Sequence, residues 1–182
     1  DVMVESGAAL VVQNNTATLV GGGVYLQNEG STFTATGNIT RVTVESNTAG
    51  ERGGGVFSGN GADVMVESGA AVVVQNNTAT LVGGGVYLQD EGSTFTTTGN
   101  ITRVTVESNT AGQYGGGIYL QNEGSTFTAT GNSTHVTVES NTAGQNGGGV
   151  FSLLGADVMV KSGAALVVQN NTATSLNGGG VY

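Results

Sequence analysis

Residues 42–57 read Val42-Thr43-Val44-Glu45-Ser46-Asn47-Thr48-Ala49-Gly50-Glu51-Arg52-Gly53-Gly54-Gly55-Val56-Phe57. An alternating run leads into Asn-Thr-Ala, then a short variable stretch, three glycines and a second apolar run. The same succession recurs along the whole chain. Asn-Thr-Ala begins at Asn15, Asn47, Asn77, Asn109, Asn141 and Asn171, at spacings of 32, 30, 32, 32 and 30. The glycine run keeps step, starting at Gly21, Gly53, Gly83, Gly115, Gly147 and Gly178. A fixed period of this kind decides a fold more firmly than local propensity does.

Two module types account for all 182 residues. Type A (1–30, 63–92 and 157–182) opens with Asp-Val-Met-Val, and type B (31–62, 93–124 and 125–156) opens with Ser-Thr-Phe-Thr. Their order is A-B-A-B-B-A. The last module is shorter than its siblings, so the chain reads as one solenoid domain, 1–182, cut from a longer array.

Each module carries three strand-like alternations. In type B these are Thr32 to Thr36, Arg41 to Glu45 and Val56 to Ser58; type A matches with Val2/Val4, Leu10/Val12 and Val24/Leu26. Gly- and Asn-rich corners separate the runs, and no stretch holds a 3.6-residue period over helical length. Three short strands cannot bury a core within one module. They can when each module is one coil and strands of successive coils pair, stacking the modules. The predicted fold is therefore all-β, a right-handed parallel β-helix of about six coils, with one coil of three short strands per module. At about 4.8 Å per coil it would be a rod roughly 29 Å long. The length difference between types is expected in the first corner, Glu5-Ser6-Gly7 against Thr36-Gly37-Asn38.

Stacking turns each repeated residue into a row along the axis. The inward rows are expected to contain Val2/Phe33, Val4/Ala35, Leu10/Val42, Val12/Val44 and Val24/Val56. The residues Asn15, Asn47, Asn77, Asn109, Asn141 and Asn171 should form a structural amide ladder, because Asn tolerates sharp corners and stacked amides hydrogen-bond along the axis. If Val24 points inward, period 2 sets Tyr25, Phe57, Tyr87, Tyr119, Phe151 and Tyr182 on the outside, as an aromatic contact stripe. The opposite parity would place these rings in the core.

Composition removes several function classes. Four basic residues face 13 acidic ones, for a net charge of −9, so no surface exists to neutralise a nucleic-acid backbone. Docking on an anionic membrane is disfavoured for the same reason, and no apolar run is long enough to insert into one. Without Cys there is no disulfide, thiolate metal site or cysteine nucleophile. The one histidine, His135, occupies the slot that Arg41 and Arg103 hold in the other type B modules, which marks a solvent-facing side chain. Asp1, Asp63 and Asp157 share a slot that type B fills with Thr, so adjacent coils build no carboxylate pair of the kind glycoside hydrolysis uses. The triple glycines lack the helix and lysine of a phosphate loop and read as corner residues. No catalytic residue, metal site or cofactor is expected, and the chain does not read as an enzyme.

Two surface features remain. Thr32, Thr34 and Thr36 form a threonine row, but type A modules interrupt it, leaving only 93–124 and 125–156 with such rows side by side. Asn-x-Thr sequons fall at Asn14, Asn38, Asn76, Asn100, Asn132 and Asn170; in a protein secreted by a eukaryote these corners would accept N-linked glycans.

The Val-x-x-Asn segments (Val12 to Asn15, Val44 to Asn47, Val74 to Asn77, Val106 to Asn109, Val138 to Asn141, Val168 to Asn171), each followed by Thr-Ala and then Gly-Gly-Gly-Val/Ile, are similar to a bacterial repeat. They resemble the Phe-x-x-Asn plus Gly-Gly-Ala-Ile repeat of chlamydial polymorphic outer membrane proteins, with Val for Phe and a third Gly for Ala. The resemblance spans all six modules. It implies a right-handed β-helix at the cell surface with a role in adhesion.

The expected function is thus an extracellular or cell-surface structural or adhesive rod, forming part of a fibre or filament. Its expected partners are further copies of itself, by head-to-tail or lateral association, and host-cell or matrix glycans. The alternatives are a solenoid that binds ice or polysaccharide, and the passenger adhesin of an autotransporter.

Overall fold

A computed structural model describes residues 1–182, all of them in strands, turns and corners with no helix. The chain winds as a parallel β-solenoid whose strands form four sheets. The first sheet holds Val2–Val4, Thr32–Thr36, Asp63–Glu67, Thr94–Thr98, Thr126–Thr130 and Asp157–Lys161. The second holds Ala9–Gln13, Arg41–Glu45, Ala71–Gln75, Arg103–Glu107, His135–Glu139 and Ala165–Gln169. A third, narrow sheet consists of the Thr-Ala dipeptides, from Thr16–Ala17 to Thr172–Ala173. The fourth holds Val24–Gln27, Val56–Gly59, Val86–Gln89, Ile118–Gln121 and Val150–Leu153, and a single bridge from Val150 to Val181 extends it.

Every pairing joins one coil to the next in the expected register. Val2 pairs with Phe33, Leu10 with Val42, Val12 with Val44, and Val24 with Val56. These rows face inward and form one continuous core of 25 buried residues. The wide rings of Phe95 and Phe127 stack in it at 5.1 Å, while Val64 and Val158 occupy the same row in the flanking type A coils. Mixing wide and narrow side chains along one row lets the rings of one coil use the space that narrower neighbours leave.

Two points depart from the sequence reading. Each coil has a fourth short strand, Thr-Ala, with Thr outward and Ala buried in the interior coils. The extra length of type B is also not confined to one corner. Four residues, 5–8, separate Val4 from Ala9, whereas five, 36–40, separate their partners Ala35 and Arg41. On the other side of the first sheet, four residues, 28–31, lead from Gln27 to Thr32, and three, 60–62, lead from Gly59 to Asp63. The inward Val2/Phe33/Val64 row pins the register of the first sheet, so one additional residue bulges at each corner flanking a type B strand.

Candidate functional site

The aromatic row is where the structure differs most from expectation. Its parity is as read: Val86 lies in the main core and Tyr87 points away from it. Yet the row is not an exposed stripe. Phe57, Tyr87, Tyr119 and Phe151 are buried, with Tyr87 at 0% exposure, and only Tyr25 and Tyr182 in the terminal coils are open. The cover is the variable stretch before each glycine run. Val20, Arg52, Val82, Tyr114 and Asn146 form a file of parallel bridges beside the fourth sheet and close over the rings.

The result is a second small core outside the first, a column of rings with neighbouring centroids 5.0 to 5.3 Å apart. The first glycine of each triplet lets the chain fold back this closely. A Cβ on Gly83, at φ +64°, would stand 2.6 Å from Cβ of Tyr87. Burial pushes the hydroxyls of Tyr87 and Tyr119 above the ordinary tyrosine range, against the opposing pull of the Arg52 guanidinium nearby. A sealed column cannot stack on a glycan or on a neighbouring rod, so Phe57, Tyr87, Tyr119 and Phe151 do not form a contact stripe, and Tyr25 and Tyr182 alone of the six are exposed. The role of the buried four is cohesion between coils.

The asparagines occupy the corner between the second and third sheets. Asn47, Asn77, Asn109 and Asn141 are fully buried, and each Nδ2 in the series from Asn15 to Asn141 donates to Oδ1 of the next residue at 3.0 Å. The same oxygen also accepts the backbone N–H of the preceding Asn, and from Asn47 onward each Nδ2 reaches a Val carbonyl of the preceding coil. No buried side-chain nitrogen or oxygen in the molecule lacks a partner.

The sequon asparagines stand apart from this ladder. Asn14, Asn38, Asn76, Asn100, Asn132 and Asn170 are all exposed, in two rows that flank the second sheet. Asn14, Asn76 and Asn170 take positive φ at the corner where type B carries Ser46, Ser108 and Ser140. In type B the sequon threonines have a local structural duty, since buried Thr40, Thr102 and Thr134 each donate to a carbonyl four residues back.

The titratable side chains do not converge. His135 is exposed and in register with Arg103. Asp63 Oδ1 accepts from Thr94 Oγ1 at 2.6 Å, and Asp1 takes the same place beside Thr32, so the shared Asp slot links type A to type B coils. No three His, Cys, Asp or Glu side chains come together as a metal site would need. The largest surface groove, about 650 Å³, follows from the short corner at Asn60-Gly61 and is lined by Glu29, Asp63 and Glu91 with no apolar side chain.

A family model described as a right handed beta helix region matches residues 1–182. The chain belongs to the right-handed β-helix family. No curated protein and no solved structure matches it. As a β-helix it is uniform: the same four-sheet cross-section repeats from coil to coil, and no irregular insertion projects a singular side-chain cluster. Sequence reasoning missed the cover over the aromatic column. The available signal was Leu19-Val20 and Leu81-Val82, apolar pairs in corners that otherwise read as polar loops.

Proposed function

We propose that this β-helix is the rod of an extracellular or cell-surface fibre, structural or adhesive, with no catalytic activity. The uniformity of its coils carries the reading. An enzyme concentrates its chemistry in one irregular place, whereas here each outward row is an ordinary repeat of short polar and aliphatic residues. The resemblance to chlamydial surface repeats supports an adhesive role, as an autotransporter passenger or otherwise, with host-cell or matrix glycans as partners. The scarcity of basic residues argues against nucleic acid. In a eukaryotic secretory pathway the exposed sequon corners would carry N-linked glycans.

Self-association would run head to tail, through the strand edges at the ends of the rod, or side to side through the sheet faces. Electron microscopy and light scattering of the native protein test this. Fibres or rods many coils long are the expected outcome; a compact particle that stays monomeric at high concentration would remove the filament and leave a single-rod adhesin.

One observation favours a second reading. Thr94 pairs in register with Thr126 and Thr96 with Thr128, and Thr98 and Thr130 close the same two strands, giving a threonine patch on the first sheet. Such a patch suits ice or an extended polysaccharide. Thermal hysteresis or polysaccharide co-sedimentation, lost on changing Thr96 and Thr128 to Lys, would favour this reading over the fibre.

A further inference from the structure

The outer face of the second sheet carries opposite charges along its two edges. Through the interior coils its first row runs Arg41, Ala71, Arg103 and His135, and its last row runs Glu45, Gln75, Glu107 and Glu139. Thr43, Val73, Thr105 and Thr137 lie between them, all partly buried, while Arg41, Arg103 and His135 are exposed. None of these charges pairs within the chain, whose one ion pair joins Arg52 to Glu51. Arg41 and Glu45 are the two ends of one strand, about 13 Å apart, which is out of contact range. Gln75 Nε2 donates to Glu45 at 2.6 Å and holds that carboxylate on the face. Glu107 and Glu139 are register neighbours, a like-charge contact that costs stability and has no cation beside it on the same rod.

We propose that this face receives the same face of a second copy of this chain, with the two rods parallel and their coils in register. The inference rests on the fibre reading above and names the face and the direction of its side-to-side contact. A two-fold axis lying between the rods, along their length, reverses the strand direction and keeps the order of the coils. It therefore sets each basic row over the other copy's acidic row. Arg41 faces the second copy's Glu45, Arg103 its Glu107 and His135 its Glu139, and symmetry makes each pair twice. Sheets packed face to face lie about 10 Å apart, a gap that Arg and Glu side chains span together while the Thr and Val row fills the middle. The seating also brings Arg103 to the Glu107–Glu139 contact. Antiparallel rods would set basic row on basic row and acidic on acidic, so the charges choose the direction. The first sheet cannot pair in this way, because Asp63 and Glu67 stand at opposite edges of one strand and would meet as carboxylates. Six coils offer a face of roughly 500 Å², from strands about 17 Å long stacked at about 4.8 Å. A standard interface buries about 800 Å² per partner, so two such chains pair weakly and each further coil adds to the contact.

The test uses the full 182-residue chain, made in a host without N-glycosylation because glycans on Asn38, Asn76, Asn100 and Asn132 would hold the two faces apart. Small-angle X-ray scattering and sedimentation up to about 1 mM, the range of a weak complex, separate two modes of growth. Side-to-side pairing widens the particle's cross-section, whereas end-to-end growth lengthens it at constant cross-section. The unaltered chain should widen. Reversing the acidic row with E45K, E107K and E139K together should weaken pairing at least about tenfold, although it reduces the net charge of −9 and with it the general repulsion between copies. Reversing the basic row with R41E, R103E and H135E should do the same, and mixing the two variants should restore pairing, because every contact again joins opposite charges. Gln and Ala already fill these slots in type A coils, so the milder sets E45Q/E107Q/E139Q and R41A/R103A/H135A suit the fold and should each weaken pairing about threefold or more. Far-UV circular dichroism checks that each variant keeps its sheet. Widening that neither row affects, or that the mixture does not restore, overturns this pairing and leaves the fibre reading standing. Growth by length alone does the same. If the unaltered chain stays monomeric over the whole range, the pairing and the filament both fall.

Discussion

Asn77 and Asn109, both fully buried, are joined twice: Nδ2 and the backbone N–H of Asn77 donate to the same Oδ1 of Asn109, at 3.0 and 2.9 Å. Each ladder residue therefore satisfies backbone as well as side chain at a corner where the sheets are interrupted. A buried polar group left without its partner costs more than the bond itself contributes, so the ladder is sensitive to a break at any rung.

Asn109→Leu should destabilise the rod by about 1–3 kcal/mol, because it leaves the neighbouring amides partly unpaired: the backbone N–H and Nδ2 of Asn77 lose the Oδ1 they share, and Asn141 Oδ1 loses one of its two donors. Chemical denaturation followed by circular dichroism measures this. An unchanged midpoint would show that the ladder contributes little.

Tyr87→Ala should cost about 3–5 kcal/mol, the range for removing a buried ring. Were the aromatic row a solvent-facing stripe, the same change would fall within about 0.5 kcal/mol of neutral. Thermal unfolding of the single variant separates the two arrangements.

Gly84→Ala should be far more harmful than Gly30→Ala. A Cβ on Gly84 would stand 2.5 Å from carbonyl oxygens of Gly116 and Thr110 in the adjacent coil, while one on Gly30 meets nothing within 4 Å. Overpacking of the first kind costs about 1–3 kcal/mol or more; the second carries only the strain of its positive φ, about 1 kcal/mol. Comparing the two denaturation midpoints checks the ranking.

Tyr87 and Tyr119 hold their protons more tightly folded than unfolded, chiefly because burial disfavours the phenolate. Their contribution is fully present below the ordinary tyrosine value, about 10, and is lost as the pH rises above it. An alkaline titration should show part of the tyrosinate absorbance developing only as the sheet signal collapses. Complete ionisation of an intact rod would contradict the sealed column.

Much of this structure was legible from repetition. Val12, Val44 and Val74 had to share a row because period 2 and the module spacing leave them no other common face, and Asn47 could be set at a corner because the alternation stops there. The parity of Val24 and Tyr25 followed in the same way. What could not be read was whether the outer face of that strand stays open. The cover is built from Val20, Arg52, Val82, Tyr114 and Asn146, four residue types at five copies of one slot, so no repeated residue type marks it. The Thr-Ala strand was missed because two residues are too few for alternation to register. The candidate site was legible as a set of rows and not as a set of exposures, since exposure depends on where the corners travel.

The Asn ladder also gives the rod an electrical direction. In each rung the carbonyl end of the amide faces the preceding coil and an N–H reaches toward the following one, from Asn15 through Asn171. A peptide-type amide carries a dipole of about 3.5 D. Those of the sheet backbone largely cancel, but the file of asparagine amides does not, because every member points the same way. The two ends of the rod are therefore distinguishable to any charged neighbour. By themselves these dipoles favour antiparallel neighbours, and the charged rows of the second sheet act against them in a parallel pair.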